Sequence, residues 1–288
     1  MAAYRERRWQ SRDGLALFAR DYAGGDGEGR LPVVCLHGLT RNSKDFEDVA
    51  PRIAAGGRRV IVPDMRGRGQ SAWDPKPARY HPKVYAADVA GLLDELRISR
   101  AVFLGTSMGG IVTMALAARR PKMIAAAILN DSGPEIAPEG VARILGYAGK
   151  SAIIRDWRDA ADYLRRVNGA AFPALGDADW DRFARRTFRD GADGPQLDYD
   201  PAISGVLARP GWLTTFIARL LFRRLARGRP TMLLRGQLSD LITADIAARM
   251  AKAAPSLRTI VVPNVGHAPM LDEPVAVDAI DQFLRTMK

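Results

Sequence analysis

Residues 101–110 read Ala101-Val-Phe-Leu-Gly-Thr-Ser-Met-Gly-Gly110, an apolar run that stops in Gly-x-Ser-x-Gly and leads directly into a helical pattern. The run has the make-up of a buried strand, so Ser107 is expected at the tip of a sharp strand-to-helix turn. A turn this tight brings the positions two before and two after the serine together. A Cβ at Gly105 or Gly109 would collide there. Ser107 is then expected in a strained backbone conformation, its hydroxyl exposed and a helix N-terminus behind it. Gly-x-Ser-x-Gly alone is a common pattern, and its placement between strand and helix is what gives it weight.

Outward from this turn the same alternation repeats. Upstream, residues 4–21 read as two strands around a turn at Asp13-Gly14, and Leu31 to Gly38 reads as a buried strand. Residues 43–55 read as a helix closed by Gly56-Gly57. A strand from Arg59 runs into Asp64-Met-Arg-Gly-Arg-Gly-Gln-Ser71, and 82–96 is an amphipathic helix. Downstream, a helix to Arg119 precedes an apolar strand, Met123 to Leu129, that ends at Asn130-Asp131. The alternation predicts an α/β fold, a mostly parallel twisted sheet with helices on both faces. Right-handed crossovers put the strands' C-terminal ends at one edge. His37-Gly38, Asp64, Ser107 and Asp131 are therefore expected at the edge where open α/β sheets bind ligands.

From about 132 the rhythm changes. Helical patterns carry Trp157, Tyr163, Phe172, Trp180, Phe183, Trp212, Phe216 and Phe222, between loops rich in Pro, Gly and Asp. This predicts a helical cap inserted at 132–231, over the sheet edge. The alternation resumes with a strand at 231–236, a helix at 243–254, a strand at 257–262 and a closing helix at 274–287. Residues 1–131 and 232–288 are thus expected to form one core domain.

The composition narrows the class. A chain of 288 residues, 47% hydrophobic and 26% charged, fits a soluble globular protein with a sizeable core. No apolar stretch is long enough to span a bilayer, and the first residues lack a signal-peptide core. Cys35, the single cysteine, lies in an apolar strand and reads as a structural thiol. A cytoplasmic location is the default expectation. The net charge of +11 comes mostly from Arg, with only seven Lys, and no basic motif interleaved with aromatics appears. The basic residues are therefore read as a solvated surface. The expected partner is a small-molecule substrate, with no nucleic acid, no integral membrane segment, no metal and no cofactor.

A serine hydroxyl becomes a nucleophile only when a neighbouring base takes its proton. The chain has three histidines. His37 heads a turn directly after a strand, and His81 precedes Pro82 at a helix start. His267, in Val265-Gly-His-Ala-Pro after the last strand, fits a base delivered on a loop. The base needs a carboxylate to fix its tautomer and to stabilise the imidazolium. Asp240 follows the strand that resumes after the cap and satisfies the order nucleophile, acid, histidine. Asp240 is the expected acid. Asp131, one strand earlier, is the alternative, with a capping role in the turn as its other reading. The backbone N–H groups of Met108 and Leu39 are the expected oxyanion donors, because the loop after His37-Gly38 should lie beside the serine turn.

With these residues placed, the chain resembles the α/β-hydrolase superfamily over nearly its whole length. The resemblance rests on His37-Gly38, Asp64-Met-Arg-Gly-Arg-Gly-Gln-Ser71, Gly105-Thr-Ser-Met-Gly-Gly110, Asp240 and Gly266-His267. It implies that the Asp-x-Arg-Gly-x-Gly-x-Ser segment is mainly structural. Epoxide hydrolases and haloalkane dehalogenases carry Asp where Ser107 stands, which argues against both activities. Carbon–carbon bond hydrolases of meta-cleavage pathways share Gly-x-Ser-Met-Gly-Gly but usually have Asn at the position of Thr106. The resemblance therefore implies a serine hydrolase of small or medium esters or lactones. Carbon–carbon hydrolysis with the same triad is the alternative, and a slow-turnover ligand-binding protein is the alternative outside enzymes.

The substrate pocket is expected to involve His37, Thr106, Trp157, Trp212 and Phe216, the cap aromatics having packing within the cap as their other reading. The run Arg219-Leu-Leu-Phe-Arg-Arg-Leu-Ala-Arg-Gly-Arg229 alternates basic and apolar positions at helical spacing. A solvated helix face is its plain reading. An arginine held over the site to bind a carboxylate, or contact with an anionic lipid surface, is the sharper one.

Overall fold

A computed structural model describes residues 3–25, 29–150, 154–206 and 211–287. The chain opens with β1 (Arg5–Gln10) and β2 (Ala16–Tyr22), antiparallel strands joined through Gly14 at φ +82°. β3 (Val33–Leu36), α1 (Val49–Ala55), β4 (Val60–Asp64), α2 (Pro82–Glu95), β5 (Ala101–Thr106), α3 (Met108–Arg119) and β6 (Ile124–Asn130) follow. After a long helical segment come β9 (Thr231–Gly236), α8 (Ala244–Ala253), β10 (Arg258–Val262) and α9 (Pro274–Arg285). The helix expected over 43–55 is split. A separate turn, Ser43–Phe46, comes first, with the Asn42 side chain accepting from the Lys44 N–H at 2.9 Å.

The main sheet has the order β1-β2-β4-β3-β5-β6-β9-β10. The β1–β2 and β2–β4 pairs are antiparallel, and the remaining pairs are parallel. Side chains alternate between its two faces, as strand geometry requires. Val34, Leu36, Ile61, Phe103 and Leu129 join the core shared with α2, α3 and α8. Val33, Cys35, Val62, Leu104 and Ile128 join the one shared with α1 and α9. Both faces of β5 and β6 are covered, which is why these strands read as unbroken apolar runs.

Between β6 and β9 lie α4 (Pro138–Tyr147), α5 (Trp157–Asn168), α6 (Asp177–Thr187), a ribbon of β7 (Phe188–Arg189) and β8 (Gln196–Leu197), and α7 (Trp212–Ala226). This segment divides in two. α5 and α6 build a separate core from Ala160, Leu164, Phe172, Trp180, Ala184 and Phe188. α7 instead sets Phe222, Leu225 and Ala226 into the core that α3 shares with the sheet. Its far end is solvated, with Trp212 82% and Phe216 53% exposed.

The Asp64–Ser71 loop ties these parts together. The Asp64 carboxylate accepts from the N–H groups of Ser43 (2.6 Å) and Gln70 (2.9 Å), and burial pushes it up to about 6. Gly69, at φ +52°, leaves no room for a Cβ beside that carboxylate. Arg66 is buried among Asp88, Asp74 and Asp13. Backbone bonds from Gly69 to Asp198 (3.0 Å) and from Asp200 to Gly67 (2.7 Å) join the loop to the inserted segment.

Candidate active site

The turn after β5 is as tight as its glycines require. A Cβ at Gly105 would lie 2.5 Å from the Gly109 carbonyl carbon, and one at Gly109 would run into the Leu36 carbonyl. Ser107 has φ +51°, in the left-handed region that costs energy for any residue with a Cβ. Its N–H donates to Asn130 O at 3.0 Å, and its carbonyl accepts from the Ser132 hydroxyl at 2.7 Å. These bonds hold the strained turn against β6.

His267 reaches this serine on the loop after β10. Its Nε2 lies 2.9 Å from Ser107 Oγ, and its Nδ1 lies 2.7 Å from Asp131 Oδ2. The loop is fixed by a bond from Leu238 N–H to Val265 O (2.8 Å) and one from Gly266 N–H to Ala171 O (2.6 Å). The second of these joins the histidine loop to the inserted helices.

The carboxylate on His267 is thus Asp131, a correction to the expectation of Asp240. Asp131 is the first residue past β6, and its side chain is fully buried. Its N–H donates to Leu234 O on the adjacent β9 at 2.7 Å. Gly236 N–H (3.1 Å) donates to Oδ1, while the Ser239 hydroxyl (2.5 Å) donates to Oδ2, the oxygen that also faces His267. Three donors compensate a buried carboxylate and fix its direction. Asp240 lies further from its strand and turns toward α4. Arg143 donates to it from Nε at 2.6 Å and from Nη2 at 2.9 Å. Burial works to raise the Asp240 carboxyl, but the Arg143 guanidinium outweighs it and holds the group below the ordinary carboxylate range.

His37 is fully buried and is not among the residues lining the cavity at Ser107, contrary to expectation. Its Nδ1 lies 2.7 Å from Gly38 O, and its Nε2 accepts from Met65 N–H at 3.0 Å. Burial pushes its pKa down to about 4, and this neutral form suits both bonds. A trans peptide sets C=O and N–H in opposite directions. With the Gly38 carbonyl anchored on His37, the Leu39 N–H points the other way. A Cβ built on Gly38 would lie 3.8 Å from Ser107 Cβ, so this loop borders the serine. Arg68, also buried, donates from Nε to Leu39 O at 3.0 Å and from Nη1 to Tyr85 Oη at 2.8 Å. Its Nη2 lies 3.8 Å from Met108 Sδ. One guanidinium thus touches both residues expected to supply oxyanion donors.

A cavity of about 110 Å³ lies beside Ser107 and His267. Thr106 lines it, as expected, along with Leu39, Tyr147, Phe172 and Phe183. Asn130 Nδ2 donates to Thr106 Oγ1 at 3.1 Å. The three expected cap aromatics do not line it. Trp157 packs against the α5–α6 core with the Arg185 guanidinium 3.7 Å over its ring, and Trp212 and Phe216 stand on the solvated end of α7. The basic run at 219–229 is also elsewhere. Arg219 pairs with Glu135 at 2.8 Å, and Arg229 donates to the carbonyls of Pro121 and Ile124. The arginines that line the cavity are Arg41, Arg182 and Arg186, which the sequence reading did not single out. Among the described residues no helix is long and apolar enough to cross a membrane, and no group of His, Cys, Asp and Glu is placed to hold a metal ion.

The chain belongs to the α/β-hydrolase fold family, whose model matches residues 32–274, and it is a hydrolase of that family. It is 31% identical over 265 residues to the 3-hydroxybutyrate-oligomer hydrolase of Cupriavidus necator, an alignment covering 90% of each chain. It is 26% identical to the 2-(acetamidomethylene)succinate hydrolase of Mesorhizobium japonicum, over 84% of this chain and 82% of that one. Among solved structures, an α/β hydrolase from Novosphingobium aromaticivorans superposes with a TM-score of 0.90 at 43% identity, covering 99% of both chains.

Proposed function

We propose that the protein hydrolyses a small or medium carboxylic ester or lactone through an acyl-enzyme, with Ser107 as nucleophile, His267 as base and Asp131 as the orienting acid. The observation that carries this is the single imidazole bridging Ser107 Oγ at 2.9 Å and Asp131 Oδ2 at 2.7 Å. Both distances suit proton transfer at one ring nitrogen and tautomer control at the other. His267 Nε2 takes the Ser107 proton as Oγ attacks the carbonyl. The N–H groups of Leu39 and Met108 receive the negative charge that develops on the carbonyl oxygen. The tetrahedral intermediate collapses, His267 passes its proton to the leaving alkoxide, and an alcohol departs. Water, deprotonated by His267, then attacks the acyl carbon and releases the acid, and the proton returns to Ser107. In this reading α4, α5 and α6 act as the cap over the site.

The relative named for an oligomer of 3-hydroxybutyrate, matched over 90% of both chains, supports an ester bond as the target. Carbon–carbon hydrolysis with the same triad is the second reading. It is favoured by a 33% identity to a 2-hydroxymuconate semialdehyde hydrolase of a Pseudomonas strain, over about half of each chain (48% and 50%).

A fluorophosphonate probe and short-chain aryl esters test the assignment together. The native protein is expected to be labelled at Ser107 and to turn the esters over. Ser107→Ala should lose labelling and at least about 10⁵-fold in kcat, as removal of a serine nucleophile does. Esterase activity surviving in Ser107→Ala would refute the mechanism.

A further inference from the structure

The cavity beside Ser107 is walled by one face of α6, where Asp179, Arg182, Phe183 and Arg186 recur at spacings of three and four residues. Arg41 faces it from the loop after β3 and lies 4.4 Å over the Phe183 ring. The three guanidinium groups differ in what they have left to offer. Arg41 donates from Nε to both oxygens of Asp45 (2.9 and 3.0 Å) and from Nη1 to Thr187. Arg186 is nine-tenths buried and donates from Nη2 to Asp48 at 2.6 Å, while its Nε makes no hydrogen bond and Glu47 stands off at 3.8 Å. Arg182 is half exposed. Its Nη2 donates to Asp179 at 2.8 Å, and Asp272 stands off at 3.8 Å. Among the described residues Nε and Nη1 of Arg182 make no hydrogen bond.

We infer that Arg182, backed by Arg186, binds a carboxylate on the substrate, so that the ester cleaved at Ser107 is an anionic one. This rests on the serine-hydrolase reading above and names its substrate class. Each bidentate edge of a guanidinium pairs Nη2 with Nε or Nη1, and the second Nη2 hydrogen of Arg182 leaves one such fork for a carboxylate. Arg41 and Arg186 stand in the same wall, each held by a carboxylate of its own, Asp45 and Asp48. The compounds named for the two relatives, an oligomer of hydroxybutyrate and a substituted succinate, both carry a carboxylate. The apolar remainder of the wall, Phe172 and Phe183, suits the short carbon chain between carboxylate and scissile bond.

Two matched substrate pairs test this. 4-Nitrophenyl hemisuccinate against 4-nitrophenyl butyrate places a carboxylate or a methyl on the acyl side, and the linear 3-hydroxybutyrate dimer against its methyl ester does so on the alcohol side. The anionic member of at least one pair should be preferred about tenfold or more in kcat/KM, the preference falling as salt is added. Arg182→Gln should remove most of that preference through KM and be partly rescued by Arg182→Lys. Succinate, used as a binding probe, should protect the native protein against thermal unfolding and not Arg182→Gln. Equal rates within both pairs, or a preference and a succinate effect that survive Arg182→Gln, would overturn the inference. Loss of the neutral ester's turnover together with Ser107 labelling would instead point to failure of the serine mechanism, and the succinate shift would still decide the carboxylate site.

Discussion

Two turns leave the same edge of the sheet side by side, one after β6 and one after β9, and each carries an aspartate. Asp131 is the first residue beyond its strand. Its backbone N–H is still in the hydrogen-bond ladder, on Leu234 O at 2.7 Å, so the strand pair aims its side chain. Asp240 comes four residues after Gly236, the last residue of β9, and its direction is set by Arg143 of α4. The first turn places a carboxylate with the accuracy of a β-ladder. The second uses its aspartate to tie a helix of the inserted segment to the sheet. What separates the two carboxylates is how far each lies from a rigid element.

The largest expected effect comes from substituting each in turn. Asp131→Asn should lower kcat about 10⁴-fold with little change in KM, because an amide at that position favours the wrong imidazole tautomer. Asp240→Asn should stay within about threefold in kcat, since a partly exposed ion pair to α4 contributes modestly. Comparable losses in both variants would break the contrast between the turns. A smaller effect is expected on the opposite side of Ser107, where Arg68 ties Leu39 to Met108. Arg68→Met should cost about tenfold in kcat at nearly constant KM, less than outright loss of an oxyanion donor, which costs about 10²–10³-fold. An unchanged kcat, or a loss carried wholly by KM, would show that Arg68 does not position these donors.

Much of this edge was legible in the sequence, for local reasons. The glycines at 105 and 109 announce a turn with no room for a Cβ, and Gly266-His267 lies on a loop that an α/β sheet must bring back to the same edge. The order along the chain admits both Asp131 and Asp240, however, and long-range contacts separate them: those of His267, Gly236 and Ser239 with Asp131 and that of Arg143 with Asp240. Ser239 is one residue before Asp240, so the segment that drew attention to Asp240 also holds a donor that fixes Asp131. The inserted segment was much less legible. Its helices could be read from their periodicity, but their placement depends on long-range pairs such as Arg41 with Thr187 and Arg186 with Asp48. Trp157, Trp212 and Phe216 stand out in the sequence as large apolar residues, whereas the cavity wall is set by which face of α6 turns inward. α7 reads as helical like the rest of the insertion yet packs its last turns on α3, a distinction that depends on tertiary contact.

The claim that Asp131 orients His267 is tested most directly by the His267 Nδ1 proton, followed by nitrogen-edited proton NMR. A charge-assisted hydrogen bond to a buried carboxylate moves such a proton downfield and slows its exchange. The resonance should be present in the native protein, persist in Asp240→Asn, and be lost or moved upfield in Asp131→Asn. Its disappearance in Asp240→Asn and persistence in Asp131→Asn would contradict the account.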